Sequence, residues 1–189
     1  MKHISDLTNL GDGKDCLIIG GGHSVNEFDF YNFDPDVYII STNNHLNQLA
    51  DMIIYYDKDM KDYFTKHVVS ERTLLIGFKH NSIDHTCDQC THYYNYNDIL
   101  FGDSGFHALQ FADKIFNFSR TFLIGFDYEV LGQSYHFDEG ISDKKKQSEF
   151  VKHSIGKVLN QYNDITWVNK IYNCSNRSQL KTFERGLPI

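Results

Sequence analysis

The segment DCLIIGGGHS at residues 15–24 joins a short apolar run to three consecutive glycines. Its first half has the length and apolar character of a fully buried β-strand. The glycines lack a Cβ atom, so the backbone of the turn can approach a phosphate closely, and a helix beginning near Ser24 would favour an anion at its N-terminus. Val25 departs from the dinucleotide fingerprint G-x-G-x-x-G. We interpret the segment as the first strand and turn of a parallel sheet, with or without a ligand at the turn.

Similar apolar runs recur along the chain and alternate with longer mixed segments. They predict further strands at 37–41, 52–56, 72–76 and 121–124, and a last strand region at 164–168 and 170–172. Helical spacing of apolar residues predicts helices at 104–116 and 145–162. Residues 79–97 are polar and irregular, which predicts a surface excursion.

This alternation of strands and helices is typical of an α/β fold. We predict a single Rossmann-like domain over residues 1–189, with a mostly parallel sheet and helices on both faces. A short lid-like segment is expected at about 128–150.

Four of the predicted strands end in small or polar residues. The first runs into the glycines at 20–22, and the others lead to Asn43, Asp57 and Asp127. Ligands of open parallel sheets bind outside the carboxyl ends of the strands. We therefore expect these four strand ends to border one crevice.

The loop at 125–138, GFDYEVLGQSYHFD, is dense in polar and aromatic side chains and begins at a strand end. Such a loop is a candidate for binding or catalysis, and a well hydrogen-bonded loop without a ligand is the alternative. His153 lies inside the second long helix, where a surface position is the alternative to a general base.

A compact group of possible metal ligands follows the pattern His85-x-Cys87-x-x-Cys90-x-His92. Cysteine and histidine are the ligands that zinc prefers, but structural zinc sites usually take their second pair from further along the chain. A polar loop with reduced thiols is therefore the favoured reading, and a zinc site the alternative.

The formal net charge of −7 argues against nucleic acid as a partner, because neutralising a phosphate backbone needs clustered Lys and Arg. An anionic nucleotide can still bind through backbone N–H groups. No signal-peptide pattern opens the sequence, and no apolar run approaches the length of about 20 residues that crosses a bilayer. We expect a cytoplasmic protein with no transmembrane segment and with free thiols.

In this order, the motifs resemble the bacterial sialyltransferases of glycosyltransferase family 42. More distantly, they are similar to the Rossmann-like group that includes pterin pyrophosphokinases and flagellin-glycosylation factors. The likeness is carried by LIIGGGHSVNEFD at 17–29, DSGF at 103–106, the loop at 125–138 with its ending GQSYHFD, KHS at 152–154 and YNCS at 172–175.

The resemblance implies transfer of a sialic-acid-type sugar from a CMP-sugar donor to a glycan acceptor, with no metal or other cofactor. His153 would take the proton of the acceptor hydroxyl, and Tyr135 would donate a hydrogen bond to the departing phosphate. Self-association into a homo-oligomer is also implied. The nucleotide and donor-binding positions would be Gly20, Gly21, Gly22, Ser24, Asn43, Asp57, Ser104, Gly105, Asp127 and Glu129.

Three positions differ from the family pattern. Gly21 and Asp57 stand where the family has donor-binding asparagines, and Glu129 stands where it has a phosphate-facing tyrosine. Carboxylates at Asp57 and Glu129 would repel a phosphate unless a cation or a different ligand is bound. Two alternatives therefore stay open: a Mg²⁺-dependent nucleotidyl or pyrophosphoryl transferase with Asp57 and Asp127 or Glu129 as metal ligands, and a non-catalytic nucleotide-binding module.

Overall fold

The computed structural model describes residues 1–30, 34–129 and 155–186. Within these ranges ten strands form one sheet. The strands are β1 Lys2–His3, β2 Asp15–Ile19, β3 Tyr38–Thr42, β4 Met52–Ile54, β5 Leu74–His80, β6 Ile83–Asp84, β7 His92–Tyr94, β8 Arg120–Ile124, β9 Lys170–Asn173 and β10 Glu184–Arg185. The α-helices are α1 Lys58–Lys66, α2 Ser104–Lys114 and α3 at 155–163.

The strand order is β1-β7-β5-β4-β3-β2-β8-β9-β10, and β6 pairs with β5 at the side of this path. The described pairings are parallel except for the antiparallel β5–β6 hairpin. From β2 the chain moves outward through β3 and β4, and it later returns to place β8 on the other side of β2. The strand order thus reverses between β2 and β8, and such a reversal is where open α/β sheets bind their ligands.

Alternate residues of β2 pack into two different hydrophobic cores, because successive side chains of a strand point to opposite faces of the sheet. Cys16 and Ile18 pack in the cluster that contains the apolar side of α2. Leu17 and Ile19 pack on the other face, with Val25 from the short 3₁₀ helix His23–Glu27. The predicted α/β fold with helices on both faces is therefore confirmed.

The prediction for residues 79–97 was wrong in part. This stretch contains the end of β5, the β6 hairpin and β7, and β7 is paired on both sides within the sheet. Tyr94 is fully buried and donates a hydrogen bond to the carbonyl of Tyr55 at 3.1 Å. Polar composition concealed the strand, because tyrosine can bury its ring while its hydroxyl is satisfied.

The strand predicted at 164–168 was also wrong. The Asp113 carboxylate, near the end of α2, accepts the N–H groups of Val168 at 2.9 Å and of Asn169 at 2.8 Å. Those donors are therefore not available to a sheet ladder, and β9 begins only at Lys170. Of the helix predicted at 145–162, the part from 155 onward is confirmed, and the rest lies outside the described residues.

The part of the lid-like segment from residue 130 onward likewise lies outside the described residues. A search of the described ranges for a membrane-crossing helix finds none with the necessary length and apolar character.

Candidate functional site

The glycine turn after β2 packs directly on the loop after β8. The Gly20 N–H donates to the Ile124 carbonyl and the Gly22 N–H to the Gly125 carbonyl, each at 2.8 Å. A Cβ atom at Gly20 would lie 2.6 Å from the Gly125 carbonyl oxygen, and Gly125 has a φ of +77°. Close backbone approach is therefore why glycines stand here, as predicted, but the group approached is the protein's own loop. Gly21, between Gly20 and Gly22 in the sequence, is also buried.

Ser24 and Asp127 form a buried tie between the same two loops. The Asp127 carboxylate accepts the Ser24 backbone N–H at 2.7 Å and the Ser24 hydroxyl at 2.6 Å. Ser24 Oγ also accepts the Gly125 N–H at 3.1 Å. An internal carboxylate thus occupies the first turn of the 3₁₀ helix His23–Glu27, where the sequence predicted an anionic ligand. Ser24 and Asp127 therefore hold the loop after β2 and the loop after β8 in position relative to each other.

Asn43 and Ser104 are brought together from distant parts of the sequence. Asn43 follows β3 with a φ of +56°, a left-handed conformation that asparagine tolerates. The Ser104 hydroxyl, in the first turn of α2, donates to Asn43 Oδ1 at 2.9 Å. Gly105 is half-buried beside them, and a Cβ there would lie 2.8 Å from the Phe126 ring. The end of β3, the start of α2 and the β8 loop thus meet at one place.

Asp103 holds the N-terminus of α2 against the β8 loop. Its carboxylate accepts the Phe106 N–H at 2.7 Å as an N-cap, and it accepts the Tyr128 hydroxyl at 3.0 Å. Because Tyr128 donates to Asp103, the Tyr162 hydroxyl donates to Tyr128, at 2.6 Å. Burial raises the pKa of Asp103, and the donors from Phe106 and Tyr128 oppose that shift. The sequence gives no signal for the roles of Tyr128 and Tyr162. The role of Asp103 could have been found, because an Asp directly before a helix is a common N-cap.

Asp57 follows β4 and precedes α1. The residue as a whole is exposed, but its carboxyl group is surrounded closely enough by protein that burial has the largest effect on its pKa. Burial raises the pKa of Asp57, the negative charges of Asp59 and Asp103 raise it further, and His85 lowers it. Asp57 thus lies within electrostatic reach of Asp103, the residue before Ser104.

Glu129 shares one positively charged partner with a second carboxylate, Glu27. Arg177, from the loop after β9, donates from Nε to Glu129 Oε2 at 3.1 Å and from Nη1 to Glu27 Oε1 at 2.9 Å. Arg177 therefore places a cation beside Glu129, one of the two conditions under which a phosphate would not be repelled. Sequence reasoning missed Arg177, since a single arginine in a polar segment carries no signal of its partners.

His107 is fully buried behind the loop that leads into α2. Its Nε2 accepts the Gly102 N–H at 3.1 Å, so the proton of the neutral ring lies on Nδ1 and is donated to the Tyr94 hydroxyl at 3.1 Å. Burial lowers the pKa of His107 to about 3. The neutral histidine therefore links the start of α2 to β7 through hydrogen bonds of defined direction.

The group of possible zinc ligands does not assemble as one. His85 Nδ1 donates to the Tyr56 carbonyl at 2.7 Å, and the Cys90 thiol lies 3.1 Å from the Tyr55 hydroxyl. Cys87 and Cys90 are free thiols with their Sγ atoms 3.7 Å apart. Among the described residues, no three His, Cys, Asp or Glu side chains are arranged to hold a metal ion. The same holds for the set of carboxylates considered for Mg²⁺.

The two catalytic predictions, Tyr135 and His153, lie outside the described residues. Of the other predicted positions, the structure brings the glycine turn, Ser24 and Asp127 together at one point and Asn43, Ser104 and Gly105 at another. Both points lie at the carboxyl edge of the sheet, the first on the loops after β2 and β8 and the second where the loop after β3 meets the start of α2.

Comparison with solved structures finds bacterial sialyltransferases. The sialyltransferase CST-II in complex with a trisaccharide acceptor and CMP is 20% identical, with a TM-score of 0.58 over 93% of this chain and 86% of that one. CstII from Campylobacter jejuni with the substrate analogue CMP-3FNeuAc is 18% identical, with a TM-score of 0.55 over 93% and 86%. The monofunctional α-2,3-sialyltransferase Cst-I from the same organism is 14% identical, with a TM-score of 0.54 over 94% and 81%.

No protein-family model matches the chain, and no curated protein matches it. At these identities the likeness concerns the fold. It confirms that the chain folds as the sialyltransferases do, as the sequence motifs predicted.

Proposed function

We propose that this protein is a glycosyltransferase that transfers a sialic-acid-type sugar from a CMP-sugar donor to a glycan acceptor. The observation that carries the proposal is the Asn43–Ser104 contact of 2.9 Å, at the carboxyl edge of a sheet with the fold of CMP-bound sialyltransferases. An amide and a hydroxyl held together beside a helix N-terminus suit the polar groups of a nucleotide. The donor-binding group would consist of Asn43, Ser104 and Gly105, supported by the glycine turn and the β8 loop.

His153 and Tyr135 carry the chemistry in this proposal. As the bond between sugar and phosphate breaks, positive charge develops at the sugar carbon and negative charge on the phosphate, and fixed hydrogen-bond donors such as Tyr135 stabilise the latter. A histidine suits removal of the acceptor proton because its ordinary pKa lies near neutral pH. No metal or other cofactor is needed for these steps.

The departures from the family pattern are accommodated in specific ways. Arg177 neutralises part of the charge of Glu129, so this residue need not repel a donor phosphate. Asp127 is engaged by Ser24 and would not face the donor. Burial raises the pKa of Asp57, which favours its uncharged acid, and that form repels a donor phosphate less.

The proposed partners are a CMP-sugar and a glycan acceptor, and not nucleic acid. A cytoplasmic location belongs to the proposal, and the free thiols of all four cysteines are compatible with it. Homo-oligomer formation likewise stays a proposal, to be tested by light scattering.

Thermal-shift measurements with CMP, CMP-sialic acid and ATP, each with EDTA and with Mg²⁺, provide the first test. A ligand at 100 times its Kd adds about 2.7 kcal/mol to the free energy of unfolding. We expect stabilisation by the CMP compounds that does not depend on metal. Stabilisation by ATP with Mg²⁺ alone would favour the nucleotidyl transferase, for which the described carboxylates form no assembled site.

Catalysis is tested separately from binding. His153→Ala should abolish transfer from CMP-sialic acid while CMP binding stays within about twofold. Unchanged turnover in His153→Ala would contradict the assigned role. Binding of CMP with no transfer to any acceptor in the unmodified protein would leave the non-catalytic binding module as the better description.

A further inference from the structure

Two cysteines lie side by side in the turn at 87–90, which we call the dithiol turn. Cys87 and Cys90 are free thiols, and their Sγ atoms are 3.7 Å apart. The Cys90 N–H donates to the Cys87 carbonyl at 3.0 Å, and the Cys87 N–H donates to Cys90 Sγ at 3.3 Å. A disulfide bond is about 2.05 Å long. The two sulfur atoms are therefore nearly in van der Waals contact, and a small side-chain rotation brings them to bonding distance.

Gln89 anchors the dithiol turn to the end of α1. Its Oε1 accepts the Val69 N–H at 2.9 Å, and its Nε2 donates to the His67 carbonyl at 3.0 Å and to the Phe64 carbonyl. These hydrogen bonds fix the backbone between the two cysteines. Groups held next to each other react faster than groups that must first find each other, because the entropy of approach has already been lost. The dithiol turn is therefore arranged for a reaction between its own two sulfur atoms.

The two thiols of the turn differ in their access to solvent. Cys87 is half-buried, whereas Cys90 is 7% exposed and packs in a hydrophobic core with Phe64 from α1. Burial raises the pKa of Cys90 to about 11, and hydrogen bonds from the Tyr55 hydroxyl, 3.1 Å from its Sγ, and from the Cys87 N–H oppose that shift. A reagent from solution therefore reaches Cys87 first, and the Tyr55 hydroxyl stabilises a thiolate on Cys90 by donating to it.

The other two cysteines lie in different parts of the molecule. Cys16 is fully buried and Cys174 is 9% exposed, and they belong to the hydrophobic cores on the two faces of β2. Burial raises the pKa of both thiols, that of Cys174 to about 12. Because the thiolate is the reactive form, Cys16 and Cys174 should be inert. Of the four cysteines, all within the described ranges, Cys87 is thus the one that a reagent in solution can reach.

We propose that the dithiol turn is a redox-active site that reacts with low-molecular-weight disulfides such as oxidised glutathione. In the first step the Cys87 thiolate attacks one sulfur of oxidised glutathione. A new bond joins Cys87 to one glutathione, the original S–S bond breaks, and the other glutathione leaves as a thiolate. In the second step the Cys90 thiolate attacks Cys87 Sγ, so that the Cys87–Cys90 disulfide forms and the second glutathione leaves.

The two steps are balanced in atoms and electrons. The two cysteines lose two electrons and two protons, and oxidised glutathione takes them up to become two molecules of reduced glutathione. The reverse reaction regenerates the thiols, because the half-buried Cys87 sulfur leaves the disulfide accessible to reduced glutathione. The dithiol turn therefore responds to the ratio of disulfide to thiol in its surroundings, and this chemistry is independent of the proposed sugar transfer.

The test incubates the full chain, reduced and kept in EDTA, with oxidised glutathione and follows its intact mass by mass spectrometry after acid quenching. We expect the unmodified protein to lose the mass of two hydrogen atoms and to retain no glutathione, with a Cys87–Cys90 disulfide in its peptides. Cys90→Ser should keep one glutathione on Cys87, because the second step then has no attacking thiol. Cys87→Ser should not react, and the matched control Cys174→Ser should form the disulfide as the unmodified protein does.

Tyr55→Phe tests how the second step is assisted. This variant should gain glutathione on Cys87 at the unmodified rate but close the disulfide about threefold to tenfold more slowly. The Cys90 thiolate loses one hydrogen bond, and its higher nucleophilicity offsets only part of that loss. Glutathione that stays on Cys87 in the unmodified protein, retention of all four thiols, or reaction at Cys16 or Cys174 instead would each overturn the proposal. An unchanged rate of closure in Tyr55→Phe would overturn the part assigned to its hydroxyl.

Discussion

Replacing Asp127 by alanine should destabilise the protein far more than replacing an ordinary aspartate. The side chain is 1% exposed and accepts two short hydrogen bonds from Ser24. A hydrogen bond to a charged acceptor contributes about 1.5–3 kcal/mol, and a buried donor without a partner adds a further cost. We expect Asp127→Ala to lower the free energy of unfolding by about 3–5 kcal/mol. Asp127→Asn keeps one acceptor oxygen and should lose about 1–3 kcal/mol.

The assay is urea denaturation followed by circular dichroism, with Asp88→Asn as control. Asp88 is exposed, so its replacement should change the free energy of unfolding by no more than about 0.5 kcal/mol. Ser24→Ala completes a double-mutant cycle, in which contact between the two residues should appear as a coupling of at least about 1 kcal/mol. Losses below about 1 kcal/mol for Asp127→Ala, or a coupling near zero, would show that the carboxylate does not tie the two loops.

Three other predictions test the site and its surroundings. His107 is buried in its neutral form with a pKa of about 3, against about 6.5 in the unfolded chain. Its contribution to the free energy of unfolding is therefore complete above about pH 6.5 and falls by about 1.4 kcal/mol per pH unit toward pH 3. A His107→Gln variant should lose less stability between pH 6.5 and 5 in denaturation experiments, and an unchanged pH dependence of the free energy of unfolding would contradict the argument. Gly20→Ala places a Cβ 2.6 Å from the Gly125 carbonyl oxygen and should lower the free energy of unfolding by more than about 2 kcal/mol. Gly156→Ala has open space around the new Cβ in α3 and should raise the free energy of unfolding by about 0.5–1 kcal/mol. Similar melting temperatures for the two variants would refute the packing argument. Ser104→Ala should raise the Kd for CMP, measured by calorimetry, by about fivefold or more through loss of one hydrogen bond. Ser119 is exposed, so the control variant Ser119→Ala should bind CMP as the unmodified protein does. Equal affinities of the two variants for CMP would contradict the proposed donor contact of Ser104.

The glycine turn shows how a correct reading of residue type can assign the wrong neighbour. Sequence reasoning recognised that the backbone must be approached closely at 20–22, and it proposed a phosphate as the approaching group. In the structure the Gly125 carbonyl and the Asp127 carboxylate are that group. A phosphate and a carboxylate demand the same N–H donors, so local sequence cannot distinguish a bound anion from an internal one.

The order of strands and helices could be predicted from the sequence because it rests on local chemistry. Apolar runs of strand length and the helical spacing in α2 each act over a few residues. Predictions were wrong where a distant group intervened. Asp113 takes the N–H groups of Val168 and Asn169 and delays β9, and tyrosines with satisfied hydroxyls allow β7 to be buried within a polar stretch.

Sequence alone also determined which residues end the strands at the carboxyl edge, because each follows its own apolar run. Only the tertiary structure decided which of them meet. Ser104 and Asn43 are 61 positions apart, Asp127 and Ser24 are 103 apart, and Arg177 and Glu27 are 150 apart. Contacts over such separations depend on strand order and on loop packing, and residue type at either end does not encode them. The physical reason is that hydrogen bonds act over about 3 Å, so their partners exist only after the sheet has brought the loops together.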